Sequence, residues 1–266
     1  MKIKFPVQFL PSLLPSTSSK PWHGRRPPEE TRAFTRLELL ALLMALAFLA
    51  VIVIPVLANP RPRAERATCV NNLRLIGLGF QIWGNDHGEG PPFRTPFAQG
   101  GLRDAPAAYP IQSVYYQFAW ISNELRTPKI LACPSDPTAR VASDWSLNPN
   151  GGLRSTYFQN KSVSYFLGLE IFPDFSQQIL AGDRNMMTNG LANFCSSGLW
   201  VAASSINTPI SPSIVWTAAI HDESGNLLLN DGRVEEVRSA GLRRALSNMQ
   251  PDGSGSSGRV HFLYPR

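Results

Sequence analysis

The feature that most constrains this fold is a run of twenty residues without a charge, from Leu39 to Ala58. An α-helix rises about 1.5 Å per residue, so this run would be about 30 Å long, which matches the hydrocarbon thickness of a bilayer. A signal peptide has a shorter apolar core followed by a small-residue cleavage site, and neither applies here. A soluble helix of this length normally keeps a polar face. We therefore predict a transmembrane helix over residues 34–60.

The basic residues of the chain are concentrated before this run. The net charge is +6 over 266 residues, and residues 1–33 alone hold six Lys or Arg against two Glu. Basic residues beside a membrane span keep that end in the cytoplasm. We predict an inner-membrane protein with a cytoplasmic N-terminus and a head in the periplasm or outside the cell. Residues 61–266 carry a net charge of only +2, so no nucleic-acid partner is expected.

A carboxylate stands at the entrance of the apolar run, and its surroundings resemble a known processing signal. The segment AFTRLE at 33–38, followed by the apolar run, resembles the signal of type IV prepilins and type II secretion pseudopilins. The resemblance implies that a prepilin peptidase cuts between Ala33 and Phe34 and that the new terminus is methylated. It also implies that Glu38 pairs with the terminal amine of a neighbouring subunit and that Pro55 kinks the helix. A carboxylate near hydrocarbon is costly unless it is paired, which gives Glu38 a physical reason to dock.

The same region also departs from the prepilin pattern. Ala33 stands where the family usually has Gly, and Arg36 is a cation at a usually apolar position. Pro60 and Pro62 lack an amide donor, and they predict a break or strong kink near 59–62. Pilin-like proteins usually run one continuous helix there. These departures favour an alternative, a membrane-tethered extracytoplasmic binding module that does not polymerise.

Beyond the prolines, residues 63–85 have the spacing of an amphipathic helix. Apolar side chains recur at intervals of three and four residues and would form one stripe, which we expect to pack on a sheet. The stripe consists of Cys69, Leu73, Ile76, Phe80 and Trp83. A further helical segment is predicted at 113–126.

The remaining patterns predict strands and a short helix. Strands are predicted at 162–170, 177–183 and 213–221, with a hairpin at 226–237 and a helix at 239–248. Asp231-Gly232 is a strong turn signal because both positions of the tightest hairpin turn favour positive φ. The GSGSSG segment at 253–258 predicts flexibility, and the terminal RVHFLYPR predicts at most an edge strand.

These elements define an α+β, pilin-like fold. It would have an N-terminal transmembrane helix followed by an amphipathic helix packed on an antiparallel β-sheet. The predicted domains are a basic leader at 1–33, the transmembrane helix at 34–60, a head at 61–250 and a flexible tail at 251–266.

Several short motifs in the body resemble, in their order and spacing, a group of prepilin-type proteins expanded in Planctomycetes and Verrucomicrobia. The motifs are Asn71-Asn72-Leu73, Cys133-Pro134-Ser135-Asp136, Ser164-Tyr165-Phe166, Gly182-Asp183-Arg184-Asn185, and His221 followed ten residues later by Asp231-Gly232. The resemblance covers most of residues 33–237. It implies a fold and a membrane address but no enzymatic role.

The C-terminal His–Asp–Gly element allows three interpretations. In the structural one, which we favour, Asp231 caps turn amides and His221 hydrogen-bonds a loop carbonyl. In the second, Asp222, Glu223 and Asp231 offer oxygen ligands to calcium, and no other cofactor is predicted. Catalysis would need a Ser or Cys nucleophile with His221 as base, and the sequence lacks a nucleophile-elbow pattern. We therefore predict that the protein is not an enzyme.

The three cysteines are Cys69, Cys133 and Cys195, and their spacing fits no zinc-ribbon pattern. In an exported head they could form one disulfide and leave one free thiol, but nothing in the sequence selects the pair.

Taken with the resemblance, the sequence predicts a structural pilin- or pseudopilin-like subunit. A prepilin peptidase would process it, and it would join other pilin-like subunits in a homo- or hetero-oligomeric filament of the type II secretion or type IV pilus kind.

Overall fold

The computed structural model describes residues 35–57, 60–88, 90–169, 171–172, 175–187, 191–192, 204–207, 214–249 and 259–265. The leader at 1–33, both residues of the predicted cleavage site, Ala33 and Phe34, and the third cysteine, Cys195, lie outside the described residues. The chain divides into two units, 1–54 and 55–266, which are described separately.

Helix α1 (Arg36–Leu57) contains the apolar run. Its Arg36–Val53 window has a mean hydropathy of 2.4, and none of that window is buried within the protein. Apolar side chains are exposed along the whole of this window. The helix is therefore long and apolar enough to cross a membrane. Pro55 lies within α1, two residues before its last residue, and the predicted kink stays a prediction.

Among the described residues, the head has four helices and one seven-stranded sheet. The helices are α2 (Pro60–Asp86), α3 (Val114–Trp120), α4 (Ser122–Leu125) and α5 (Ser239–Ser247). The strands are β1 (Tyr165–Gly168), β2 (Ile179–Asp183), β3 (Leu191–Ala192), β4 (Ser204–Asn207), β5 (Ser224–Leu229), β6 (Val234–Arg238) and β7 (Arg259–Leu263). The order across the sheet is β3-β4-β7-β1-β2-β5-β6, and every pairing is antiparallel. The fold is thus α+β.

Helix α2 confirms the predicted amphipathic helix. All five residues of the predicted stripe are buried, none more than 4 % exposed, and the helix packs on β2, β5 and β6. Pro60 and Pro62 lie within its first turn, so the predicted break does not fall on them. Proline is tolerated there because first-turn N–H groups have no partner within the helix. Residues 58–59 lie outside the described part of the chain.

Both faces of the sheet are covered. Tyr165 and Leu167 belong to the hydrophobic cluster of α2, whereas Phe166 between them belongs to the cluster of Leu242 and Leu246 from α5. Successive side chains of a strand point to opposite faces, so the head has three layers, α2, sheet and α5. This arrangement explains why β1 and β2 are continuously buried rather than alternating between core and solvent.

The strand predicted at 213–221 is wrong. Its described residues form no strand, only an isolated bridge between Trp216 and Met186. The backbone polar groups of the segment bond to the chain that follows β2 instead, with Thr217 N–H donating to the Asn185 carbonyl.

The flexible tail predicted at 251–266 is also corrected by the structure. Residues 259–263 form β7, which pairs with β1 on one side and β4 on the other. This strand lies in the interior of the sheet, so it is neither a tail nor an edge strand, and the head extends past residue 250. Residues 251–258 lie outside the described residues.

The predicted hairpin is confirmed as β5 and β6, but its turn differs from the expected one. Leu229 N–H donates to the Arg233 carbonyl, and Gly232 N–H donates to the Leu229 carbonyl. Within this turn, only Gly232 has positive φ, at 84°. The loop therefore has three residues and needs a left-handed conformation at one position, where glycine carries no steric cost.

Candidate functional site

Four of the motifs singled out in the sequence meet at one place beneath α2. We call the group the buried polar cluster. It consists of Asp136, Ser164, Asp183, Arg184, His221 and Asn226, together with the Cys69–Cys133 disulfide. Asp183 ends β2, Asn226 lies in β5 and Ser164 immediately precedes β1, so the sheet sets the position of the cluster. The other members come from α2 and from the loops that flank these elements.

Asp136 is an ionised carboxylate that binds two other members of this cluster, Arg184 and Ser164. Arg184 binds it with two nitrogens, Nε 2.8 Å from Oδ2 and Nη2 3.1 Å from Oδ1. Ser164 donates its hydroxyl to Asp136 Oδ2 at 2.7 Å and accepts the Cys133 N–H at 3.0 Å. Burial acts to raise the pKa of Asp136, but the hydrogen bonds from Arg184 and Ser164 outweigh it and hold that pKa below its usual value. The two-nitrogen geometry fixes the loop at 133–136 against the end of β2.

Asp183 is the second carboxyl group of the cluster, and its ionised form is less favoured than that of Asp136. Its side chain is fully buried, and its Oδ2 accepts from Asn226 twice, from the backbone N at 2.7 Å and from Nδ2 at 2.9 Å. Its Oδ1 has no hydrogen-bond partner among the described residues. Burial raises the pKa of Asp183 to about 7, against the opposing effect of the Asn226 bonds.

His221 lies between Asp183 and the disulfide and is 2 % exposed. Its Nε2 is 3.4 Å from Asp183 Oδ2 and 3.4 Å from Cys133 Sγ, whereas its Nδ1 has no partner among the described residues. Burial lowers the pKa of His221, and the Arg66 guanidinium lowers it further. The imidazole is therefore neutral at physiological pH.

Among the described residues, the His221 ring makes no hydrogen bond to a carbonyl oxygen, so the predicted bond to a loop carbonyl is not formed there. The His221 carbonyl is instead an acceptor, taking a hydrogen bond from Arg66 Nη2 at 2.8 Å and one from the Ser224 hydroxyl at 2.5 Å. Arg66 also pairs with Glu236 at 2.7 Å. Helix α2 is thereby tied both to the loop preceding β5 and to β6.

The disulfide joins α2 to the loop following residues 128–131. The structure thus selects Cys69 and Cys133 from the three possible pairs. The two sulfurs and a ring nitrogen of His221 all lie within 4.8 Å of one another. No sequence signal indicated this grouping.

The oxygen ligands predicted for calcium do not come together. Asp222 and Glu223 precede β5, and Asp231 follows it, so a six-residue strand of roughly 20 Å separates them. Asp231 instead pairs with Arg233, whose Nε is 2.7 Å from Oδ2, and accepts the Arg233 N–H at 3.0 Å. This second bond is the turn-capping role predicted for Asp231. Residues 222 and 223 both have positive φ and complete the loop into β5.

Glu38 makes a local interaction that the sequence reasoning missed. It forms a capping box at the start of α1, because its N–H donates to Thr35 Oγ1 at 3.2 Å while its Oε2 accepts the Thr35 N–H at 3.0 Å. The pattern Thr-x-x-Glu before an apolar run is a known signal for this motif. Glu38 is exposed, so the capping box leaves its side chain accessible.

Every member of the buried polar cluster except Arg184 is at most 6 % exposed, and the side chains of Asp183 and His221 are shielded from solvent. The arrangement can brace the fold, and its sulfur and imidazole atoms are suited to a metal once the disulfide is open. Comparison of the chain with protein-family models, curated proteins and solved structures finds no match in any of the three.

Proposed function

We propose that the protein is a membrane-anchored, pilin-like structural subunit without enzymatic activity. Its α1 lies in the inner membrane, its N-terminus is cytoplasmic and its head is outside the cytoplasm. The observation that carries the proposal is a helix exposed and apolar along its whole described window, preceding an α+β head.

Two further observations support the proposed topology. The leader is basic, as expected for the cytoplasmic side of a span. The head contains a disulfide, and disulfides persist mainly in oxidising compartments such as the periplasm.

An exposed apolar stripe on α2 supports assembly with other subunits. Leu75, Leu78 and Ile82 are 41–51 % exposed and follow one another at helical spacing. Together with Leu125 and Ile130 they line a groove between α2 and α4. Contiguous exposed apolar surface is typical of a protein–protein contact.

The first experiment tests processing. Intact-mass spectrometry of membrane-extracted protein should show the loss of residues 1–33 and the addition of one methyl group. A chain that begins at Met1 and is soluble without detergent would contradict the proposal.

The second experiment separates docking by Glu38 from its role in the capping box. Glu38→Gln removes the charge but keeps the box, because glutamine serves at this position. We expect this variant to insert into the membrane and to lose cross-linked oligomers. Thr35→Ala is the matched control, since it removes the cap at a cost of about 1 kcal/mol but keeps the carboxylate. If Thr35→Ala loses oligomers and Glu38→Gln keeps them, the role of Glu38 is the local cap and the docking role is wrong.

A second candidate function is a tethered binding module that does not polymerise. It is favoured by a cavity of about 220 Å³ between α2 and the sheet, lined by apolar Phe80 and Leu180 and by the amides of Gln81, Asn85 and Asn230. The volume is below the usual range for ligand pockets. This alternative is favoured if the unmodified protein forms no cross-linked oligomer and the Glu38 and Thr35 variants insert into the membrane as it does.

A further inference from the structure

Two sulfur atoms and one imidazole nitrogen converge in the interior of the head. Cys69 comes from α2, Cys133 from the loop following residues 128–131, and His221 from the loop preceding β5. All three side chains are at most 2 % exposed, and their donor atoms lie within 4.8 Å of one another. Elements far apart in sequence thus present two soft donors and one borderline donor to one point, which is the donor set that zinc prefers.

We propose that the head, before its disulfide forms, binds one zinc ion through Cys69 Sγ, Cys133 Sγ and His221 Nε2, so that metal and disulfide are alternative occupants of the same site. A newly synthesised chain carries two thiols at these positions. Zinc displaces one proton from each thiol as the two zinc–sulfur bonds form, and the neutral imidazole contributes its lone pair. No oxidant or reductant is needed for this step. The inference goes beyond the proposed membrane function and does not depend on it.

The geometry needs only small side-chain movements. In a tetrahedral site with zinc–sulfur bonds of about 2.3 Å, the two sulfurs would be about 3.8 Å apart, within the spread already seen for the three donors. Rotation about the Cα–Cβ bonds of the two cysteines would separate the sulfurs from their bonded distance. The backbone of both residues can stay in place, because α2 and the sheet already hold it.

A buried carboxylate lies beside the three donors. Asp183 Oδ2 lies 3.4 Å from the same His221 nitrogen, and Asp183 Oδ1 is buried without a partner among the described residues. A buried carboxylate oxygen without a partner is costly, and a cation beside it would offset that cost. The carboxylate of Asp183 would therefore help to balance the charge of the ion.

The disulfide and the ion would have the same structural role. Each would connect α2 to the loop at 133–136, and the ion would add the loop preceding β5. A chain that is still reduced could thus hold its head folded until thiol–disulfide exchange forms the Cys69–Cys133 bond. In that exchange a partner disulfide takes up two electrons and two protons to become two thiols, and the zinc ion is released.

The test uses the full-length chain in detergent with zinc as the probe. A water-soluble phosphine reduces the disulfide and becomes the phosphine oxide, while one water molecule supplies its oxygen and the two thiol protons. The reduced chain is unfolded in guanidinium and refolded without oxygen in the presence of zinc, because the site is buried in the folded head. We expect one zinc per chain after gel filtration, and none for the disulfide form treated in parallel. Equal zinc in both forms would overturn the proposal.

Matched variants separate this site from other cysteines and histidines. We expect Cys133→Ser to abolish binding and His221→Gln to weaken it at least tenfold. Cys195→Ser and His87→Gln should bind zinc as the unmodified chain does. Loss of binding in Cys195→Ser, or a loss in His87→Gln equal to that in His221→Gln, would overturn the proposal.

A measurement on the unmodified chain does not depend on any variant folding. Zinc should protect Cys69 and Cys133 of the reduced chain from alkylation by iodoacetamide and should leave the alkylation of Cys195 unchanged, as read by peptide mass spectrometry. Cobalt in place of zinc should give the sulfur-to-cobalt charge-transfer band of thiolate ligation. Equal alkylation of all three cysteines with and without zinc would contradict the assignment.

Discussion

Asp183 is the residue whose environment differs most from that of an ordinary carboxylate. It is fully buried, it faces His221, and it receives its two hydrogen bonds from the single residue Asn226. The negative charges of Asp136 and Glu236 also disfavour its ionisation. A carboxyl group in these surroundings takes up a proton more readily in the folded state than in the unfolded state.

This difference predicts how stability depends on pH. The pKa of Asp183 is raised to about 7 in the folded, disulfide-bonded head, from its ordinary value of 3.8. Between these values the folded state holds a proton that the unfolded state has lost, so this contribution falls as pH rises from about 4 to about 7. Asp183→Asn cannot titrate and should lose this dependence. Urea unfolding of both proteins at several pH values should show the unmodified chain losing stability relative to the variant, on the order of a few kcal/mol across the window.

The contribution of His221 to the pH dependence has the opposite sign. Burial lowers the pKa of His221, so its contribution is lost as pH falls below about 6.5, whereas that of Asp183 is lost as pH rises. The direction of the change therefore distinguishes the two groups. Parallel stability curves for the two proteins would show that Asp183 is not protonated in the folded head.

At the residue scale, the sequence indicated most members of the buried polar cluster but not that they lie together. The motifs containing Asp136, Asp183 and His221 stood out by their order along the chain. Their contacts join residues far apart in sequence, such as Cys133 and His221, which are 88 positions apart. Such contacts depend on strand order that no local pattern determines. The partner of Cys69 was unpredictable for the same reason.

At the scale of elements, prediction succeeded where one physical period decided the outcome. The stripe of α2 repeats at three and four residues, and its packing surface follows directly from that spacing. The strand prediction at 213–221 was wrong because an apolar run alone does not distinguish a strand from a buried loop. Trp216 in this segment packs against the position where Gly225 of β5 has no side chain.

A close approach of two strands gives a prediction for an element. A Cβ on Gly168 of β1 would lie 1.9 Å from the carbonyl oxygen of Ile179 in β2. Neither backbone can move without breaking the β1–β2 pairing, so Gly168→Ala should destabilise the head by more than about 2 kcal/mol. Gly90→Ala is the control, because its Cβ would meet nothing closer than 3.5 Å. Denaturant unfolding should show a change within about 0.5 kcal/mol for the control, and equal effects of the two changes would contradict the close contact.

At the scale of the whole molecule, the last strand closes the sheet. Strand β7 lies between β4 and β1. It therefore joins the β3-β4 part of the sheet to the part formed by β1, β2, β5 and β6. The composition of the GSGSSG segment suggested that the fold ended before it, because a flexible linker and a terminal tail look alike in sequence. Only the pairing partners on both sides distinguish the two cases, and those partners are encoded elsewhere in the chain.

The interior position of β7 predicts that the C-terminal residues are essential to the stability of the head. Phe262 is fully buried and packs edge to face on Phe166 of β1, with ring centroids 5.1 Å apart. Phe262→Ala would remove this contact and leave a cavity between the sheet and α5, which costs about 3–5 kcal/mol. The control is Leu147→Ala, because the Leu147 side chain is 67 % exposed and a change within about 0.5 kcal/mol is expected. The stability of each variant is measured by guanidinium unfolding with tryptophan fluorescence as the signal. If the two variants unfold at the same denaturant concentration as the unmodified chain, the last residues are a tail after all and β7 does not hold the sheet together.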